Sequence, residues 1–462
     1  MGTAGRLARR TSAVAGILTV SSLVLAGCSS PAADSRGLDG GDPSPMTSAS
    51  APSDSPATAA PPASMSAAPG VSALAALPSD ASAPPQDARL AAPKGDPWVV
   101  SVGDSYISGE AGRWAGNESL TTSDIDALGP AAYADESGSE AIARCHRSRS
   151  AAIHIGVTPS KNLACSGATT STHFEDDGTF KPGIDFYSSN GRQGQALMLQ
   201  DFATTHRVAM VAMSIGGNDF KFAPIIEECI KAYLKPSFFG SYCHDDKTVG
   251  TYIDDAAANR VRSDVSRAIL NVAKAMEKAG YSDSEWRLVM QLYPDAIARP
   301  EQMRYPESGY DRQLVGGCGF RDDDSAWALD TVIPLINRTI LEAEVEAHDQ
   351  RPSLQMSTMT THGAFARHAL CDRSVSRVGA RGGANTWQDS DAVDKSEWVM
   401  EINMVNPFDT YQQESVHPNY WGQLALRSCW RQAWNNGQPH GGACEVGGSG
   451  LSQYGEPVMV LK

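Results

Sequence analysis

The sequence predicts an α/β protein whose central parallel sheet is covered by helices on both faces. Three observations carry this expectation. Trp98-Val-Val-Ser-Val102, Val208-Ala-Met-Val-Ala-Met-Ser214 and Arg287-Leu-Val-Met-Gln-Leu-Tyr293 are continuous apolar runs, as strands buried on both sides require. Long helical patterns, rather than hairpin turns, separate them. Glycine and polar residues follow the runs directly, where parallel sheets gather functional groups beyond the strand ends.

The elements follow in order. The first run ends in Gly103-Asp-Ser105. Ser353-Leu-Gln-Met-Ser357 reads as a further, weaker strand. Val261, Val265, Ile269, Val272 and Met276 share one face of a helix from about Asp254 to Ala279, which Gly280 stops. A second long helix is expected from Ser325 to His348. A third runs from Pro418, which suits a first helical turn, to Trp434.

The N-terminal part is not globular in composition. Arg6, Arg9 and Arg10 precede an apolar segment from Ala13 to Leu25, which ends in Leu25-Ala-Gly-Cys28. This reads as a secretory signal peptide over 1–27, its end matching the lipobox of bacterial lipoproteins, with Cys28 as the acylated residue. Residues 28–95 are dominated by Ala, Ser and Pro and bury too little apolar surface to offset their ordering entropy. They read as a tether of roughly 45 Å end to end, linking a membrane anchor to a globular domain over 96–462. The expected location is therefore the outer face of the cell membrane, with free secretion as the alternative.

The 462-residue chain carries a net charge of −15 with no basic stripe, which argues against nucleic acid as a partner. Setting Cys28 aside leaves eight cysteines, an even number that implies disulfides in an exported domain. Sequential neighbours are the expected pairs: Cys145–Cys165, Cys229–Cys243, Cys318–Cys371 and Cys429–Cys444. No C-x-x-C pair occurs, so no structural zinc site is expected, nor any other metal or organic cofactor. A monomer is the expected state.

Four polar blocks carry the chemistry. Ser105 stands where a strand runs out on a glycine turn, a place that can hold a nucleophilic hydroxyl clear of the fold. Alone, Gly-Asp-Ser is ordinary turn chemistry. Asn162-Leu-Ala-Cys-Ser-Gly-Ala-Thr169 follows, in which Gly167 can offer a backbone N–H at close approach. Ile215-Gly-Gly-Asn-Asp219 places Asn218 in a strand-end loop. Glu414-Ser-Val-His-Pro-Asn419 puts His417 on a loop at a helix start, a poor place for a core histidine.

Together, and in this order, the blocks resemble the SGNH (GDSL) hydrolase superfamily. With Cys145-His-Arg-Ser148 they are most similar to secreted actinobacterial esterases and lipases. The resemblance implies a flavodoxin-like three-layer α/β/α sandwich and a serine ester hydrolase. It implies Ser105 as nucleophile and His417 as general base, with an oxyanion hole formed by the N–H groups of Ser105 and Gly167 and the Asn218 amide. The family often has Asp three residues before the histidine. Here that position is Glu414, expected to orient His417, with a backbone carbonyl of Glu414 or Ser415 as the alternative. Expected substrates are lipid esters or acylated carbohydrates, and a non-catalytic binding protein on the same fold is the reading from another class.

Other residues have structural readings. Asp104 is expected to bond the turn, and Asp322-Asp-Asp324 to mark an acidic helix N-terminus. Tyr420 and Trp421 wall an acyl pocket or pack the last helix. The polar stretch 379–406, with Trp387 and Trp398, reads as a long loop leading to the site.

Overall fold

Seven strands form the main sheet of the computed structural model, which describes residues 91–235, 241–403 and 412–462. The strands are β1 (Trp98–Gly103), β2 (Ser160–Asn162), β3 (Val208–Ser214), β4 (Arg287–Gln291), β5 (Met356–Thr360), β6 (Gly442–Leu451) and β7 (Pro457–Leu461). Their spatial order is β7-β6-β5-β4-β3-β1-β2, and every pairing is parallel except β6 with β7. The order 2-1-3-4-5 in its first five strands is that of the flavodoxin-like sheet, as expected. The signal segment 1–27, Cys28 and the tether as far as residue 90 lie outside the described residues, as do the last three positions of the stretch 379–406.

Burial explains why the strands read as continuous apolar runs. Neighbours of both parities are sealed from solvent, among them Val99, Val100 and Val102 in β1 and Met210, Val211 and Met213 in β3. Both faces of the sheet are therefore covered. The principal helices are α1 (Gln195–Ala203), α2 (Phe222–Leu234), α3 (Asp255–Lys278), α4 (Ile333–Gln350) and α5 (Tyr420–Trp434). The expected face of α3, from Val261 to Met276, is buried, and α3 packs against α1 and α4. Asp254 caps α3 by accepting the N–H of Ala257 at 2.8 Å. On α5, Trp430 donates to Gln291 of β4 at 2.9 Å.

Several elements differ from expectation: the helix expected over Ser325–His348 runs regularly only from Ile333 to Gln350, after a π-helical turn at Ala328–Val332, and the strand expected to reach Tyr293 ends at Gln291. The strand expected at Ser353–Ser357 begins instead at Met356, because Ser353 donates its hydroxyl to Asp283 in the turn before it. The last helix starts at Tyr420 rather than Pro418, capped by Asn419, whose side chain accepts the Gly422 N–H at 3.1 Å. The β6–β7 hairpin went unread because its first strand is glycine-rich. Its strand character comes from pairing with β5 and β7, which no local pattern encodes.

All four expected disulfides are present: Cys145–Cys165, Cys229–Cys243, Cys318–Cys371 and Cys429–Cys444. Four in one chain fit an oxidising, exported setting. No helix among the described residues is long and apolar enough to cross a membrane. Cys318–Cys371 closes the longest loop, with a sequence separation of 53. Replacing both cysteines by alanine is expected to lower unfolding stability by about 4 kcal/mol, seen as an earlier urea midpoint with a steeper slope, because the unfolded chain becomes less compact.

Candidate active site

The order of the strands reverses between β1 and β3, and the crevice beyond their carboxyl ends is where such sheets bind ligands. Both strands deliver a polar block there. β1 ends at Gly103, whose φ is +138° and where a Cβ would lie 2.0 Å from the Ser214 carbonyl oxygen, so no larger residue fits. Gln195 at the start of α1 grips the same glycine, accepting its N–H at 2.6 Å and donating to its carbonyl at 2.8 Å. Asp104 then accepts the Tyr106 N–H at 3.1 Å and caps a single helical turn, Ser105–Ser108. This is the turn-bonding role expected of Asp104.

Ser105 and His417, 312 positions apart in sequence, meet at 2.6 Å between Oγ and Nε2. The other ring nitrogen, Nδ1, lies 2.9 Å from the Ser415 carbonyl oxygen. A carbonyl only accepts, so the proton belongs on Nδ1 and Nε2 is left to accept from the serine hydroxyl. That is the tautomer a general base needs.

The turn that makes this contact is strained. Val416 has a φ of +64°, a left-handed conformation that β-branched residues rarely adopt. Its neighbours hold it there: Tyr106 Oη donates to the Val416 carbonyl at 2.9 Å, and the Val416 N–H donates to Met400 at 3.2 Å. The Tyr106 ring centre lies 5.0 Å from that of His417.

Glu414 does not orient the imidazole. Its buried carboxyl takes one hydrogen bond from Trp114 Nε1 at 2.5 Å and another from Tyr133 Oη. The left-handed residue between Glu414 and His417 turns the glutamate side chain toward these aromatics, and the Ser415 carbonyl takes the place expected for the carboxylate. What Glu414 contributes to the histidine is its backbone carbonyl, which accepts the His417 N–H at 3.2 Å.

A second buried carboxylate, absent from the sequence reading, carries the charge. Glu110 is fully buried, pairs with His146 Nδ1 at 2.7 Å and accepts from Gln413 Nε2 at 2.8 Å. Burial works against its ionisation, but the charge and hydrogen bond of His146 prevail and hold it below the usual glutamate range. Glu414 is pushed upward by burial and by the neighbouring Glu110 charge. Burial lowers the His417 imidazole, with the Glu110 charge opposing it. Among the described residues, Glu110, His146 and Glu414 form the one group with metal-ligand spacing, their atoms within 4.8 Å of one another. Those atoms are engaged with each other and with Trp114, Tyr133 and Gln413. Tyr133 also stacks on His146 at 4.3 Å.

Asn218 comes from the loop after β3, as expected, and its Nδ2 donates to the Ala168 carbonyl at 2.9 Å. One of its two amide protons remains for a ligand. Asp219 fixes the same two loops by accepting from Thr170 Oγ1 at 2.7 Å. Neither the Ser105 N–H nor the Gly167 N–H donates to a partner among the described residues. Ser105, Asn218 and His417 line one cleft of about 480 Å³; Gly167 is not among the residues lining it, but immediately precedes the Ala168 whose carbonyl accepts from Asn218. Phe222, Ala223, Pro224, Ile226 and Ile402 make its apolar wall, and Arg144, Glu227 and Gln413 its polar one.

Sequence reasoning missed Tyr293. Its hydroxyl accepts the Gly217 N–H at 2.9 Å and donates to Asp104, tying the ends of β1, β3 and β4 together. Its position just past a buried strand was the available signal. Tyr420 and Trp421 do not wall the cleft. They pack with Trp387, at ring-centre distances of 5.7 and 6.5 Å. The stretch 379–406 is packed as well: Trp398 is buried and stacks on His368 at 3.8 Å, while Ile402 reaches the cleft.

No protein-family model matches this chain, and no curated protein matches it. Among solved structures it is similar to an extracellular lipase from Streptomyces rimosus, at 16% identity and a TM-score of 0.35, over 71% of this chain and 94% of that one. It is similar to phospholipase A1 from Streptomyces albidoflavus NA297 at 18% identity and a TM-score of 0.35, over 71% and 95%. An acetyl xylan esterase from Butyrivibrio proteoclasticus is similar at 10% identity and a TM-score of 0.28, over 58% and 57%.

The geometry gives Glu414 an anchoring role, which a substitution can separate from a charge role. Glu414→Gln keeps the shape, and Tyr133 can turn its hydroxyl to accept from the new amide. The rate at which a serine-directed fluorophosphonate labels Ser105 is expected to fall less than about tenfold, where loss of an orienting triad carboxylate costs about 10⁴-fold.

Proposed function

We propose that the chain is an exported serine ester hydrolase. The observation that carries the proposal is the 2.6 Å contact between Ser105 Oγ and His417 Nε2, with the tautomer set by the Ser415 carbonyl. The four sequence blocks that resemble the SGNH superfamily support it.

In this reading His417 Nε2 takes the proton from Ser105 as Oγ attacks the ester carbonyl carbon. Negative charge develops on the carbonyl oxygen. The free N–H of Ser105 and the spare amide proton of Asn218 supply donors for it, and Gly167 N–H joins them from the neighbouring loop. The imidazolium then gives its proton to the leaving alkoxide as the ester C–O bond breaks, leaving an acyl group on Ser105. Water repeats the sequence: His417 takes its proton, the acyl–Oγ bond breaks, and the acid leaves. The charge of Glu110 favours the protonated imidazole, and that of its partner His146 opposes it to a smaller extent.

The substrate reading rests on the two walls of the cleft. The apolar wall suits an acyl chain, and Arg144, Glu227 and Gln413 suit a polar alcohol portion, whether a lipid headgroup or a sugar. The sugar form of the alcohol keeps a carbohydrate O-deacetylase as a second reading. The signal segment, Cys28 and the Ala/Ser/Pro-rich tether support a lipid anchor on the outer membrane face, with the catalytic domain held away from the bilayer.

Hydrolysis of p-nitrophenyl butyrate by the full chain tests the activity. Ser105→Ala is expected to lower kcat by at least about 10³-fold with folding intact. Equal turnover by native and variant chains overturns the assignment. The active form of His417 is neutral, and burial lowers its pKa. The acid limb of kcat/KM is therefore expected below the ordinary histidine value of 6.5, with activity present above that limb and lost as pH falls through it.

A further inference from the structure

A second, narrower apolar space adjoins the apolar wall of the cleft. It measures about 30 Å³, and every residue around it is apolar, including Ile225, Leu329, Val332 and Leu370. Phe222 and Ile226 border both this cavity and the catalytic cleft. They stand four residues apart on α2, so they share one helix face, and both side chains stand between the two spaces. Val416, the residue before His417, also borders the cavity. The space therefore begins one residue from the group that activates Ser105.

A cavity with such walls stays dry, because water there would find no polar partner. Its lining forgoes the contacts a packed interior makes, and voids of this kind are few in a domain. Hydrocarbon is the one ligand chemistry that these walls favour. At 30 Å³ the cavity has room for about two water-sized groups, the end of a chain rather than a whole ligand.

We infer that this cavity is the terminus of an acyl-binding path, so that Ser105 acts on esters of aliphatic acids longer than acetic acid. The chain of the bound acyl group runs along Phe222 and Ile226, and its last carbons pass between them into the cavity. This rests on the ester-hydrolase reading and narrows it. An acetyl group is too short to reach these two side chains and gains nothing from the space beyond them.

The test is kcat/KM of the full chain across p-nitrophenyl acetate, butyrate, hexanoate, octanoate and decanoate. Each methylene that enters an apolar site is expected to raise kcat/KM roughly fourfold until the space is full. The hexanoate-to-acetate ratio of the native chain should therefore exceed about tenfold. Val332→Phe places bulk inside the cavity and should lower that ratio at least about tenfold. Phe222→Ala removes the larger of the two side chains between the spaces and should move the optimum to a longer chain. A native preference for acetate overturns the inference. So does an unchanged ratio in a Val332→Phe chain that still unfolds cooperatively. If that variant does not fold, an unmoved optimum in Phe222→Ala overturns it instead. A native chain that hydrolyses none of these esters overturns the hydrolase reading and the inference together, whereas hydrolysis with a flat ratio overturns the inference alone.

Discussion

The hydrogen bond between His417 Nδ1 and the Ser415 carbonyl fixes which ring nitrogen faces Ser105. It exists only because the backbone folds back within two residues, and that demands the left-handed conformation of Val416. Left-handed conformations of this kind cost of order 1–3 kcal/mol and persist only when the surroundings over-determine them. Tyr106 and Met400 hold the strained residue, and the buried Glu414 pins the start of the turn through Trp114 and Tyr133. A neutral carbonyl can orient an imidazole as firmly as a carboxylate, but it brings no full charge. Glu110 brings that charge from outside the turn.

Several carboxyl groups around the site are buried, and burial sorts them by partner. Glu110 has a histidine beside it and stays ionised. Asp104 and Asp219 have only neutral donors, and burial pushes them up to about 7 and about 6. Both of these tie loop to loop: Asp104 with Tyr293 at the ends of β1 and β4, Asp219 with Thr170 across the two loops around Asn218. Among these carboxyl groups the charge rests on Glu110, paired with His146, while the others act as geometry.

Ser105, Asn218 and His417 were legible in the sequence because each stands directly beyond an element with a strong local signal. The apolar runs of β1 and β3 place the first two, and the start of α5 places the third. Glu414 shows where such reasoning stops. Spacing along the chain says that it is near His417, but the sign of one φ angle decides which way its side chain points. Glu110, Tyr293 and Phe222 were missed for a different reason. In sequence they look like any residue of a turn, strand end or helix start, and only the tertiary arrangement brings Tyr293 and Phe222 to the cleft and Glu110 beside His146. The β6–β7 hairpin is hidden in the same way, because its strand character is conferred by its neighbours.

Cys145 and Cys165 immediately precede His146 and Ser166, so one covalent link joins the loop of Arg144 and His146 to that of Ser166 and Gly167. Ser166 accepts from Gln413 at 3.0 Å, the same amide that reaches Glu110, so this crosslink lies one contact away from the charge that acts on His417. A thiol-rich environment breaks such links and an oxidising one preserves them. The chemistry of the compartment is thereby written into the active-site wall. A chain kept among reductants lacks the tie between these loops, and crossing to an oxidising side completes the wall.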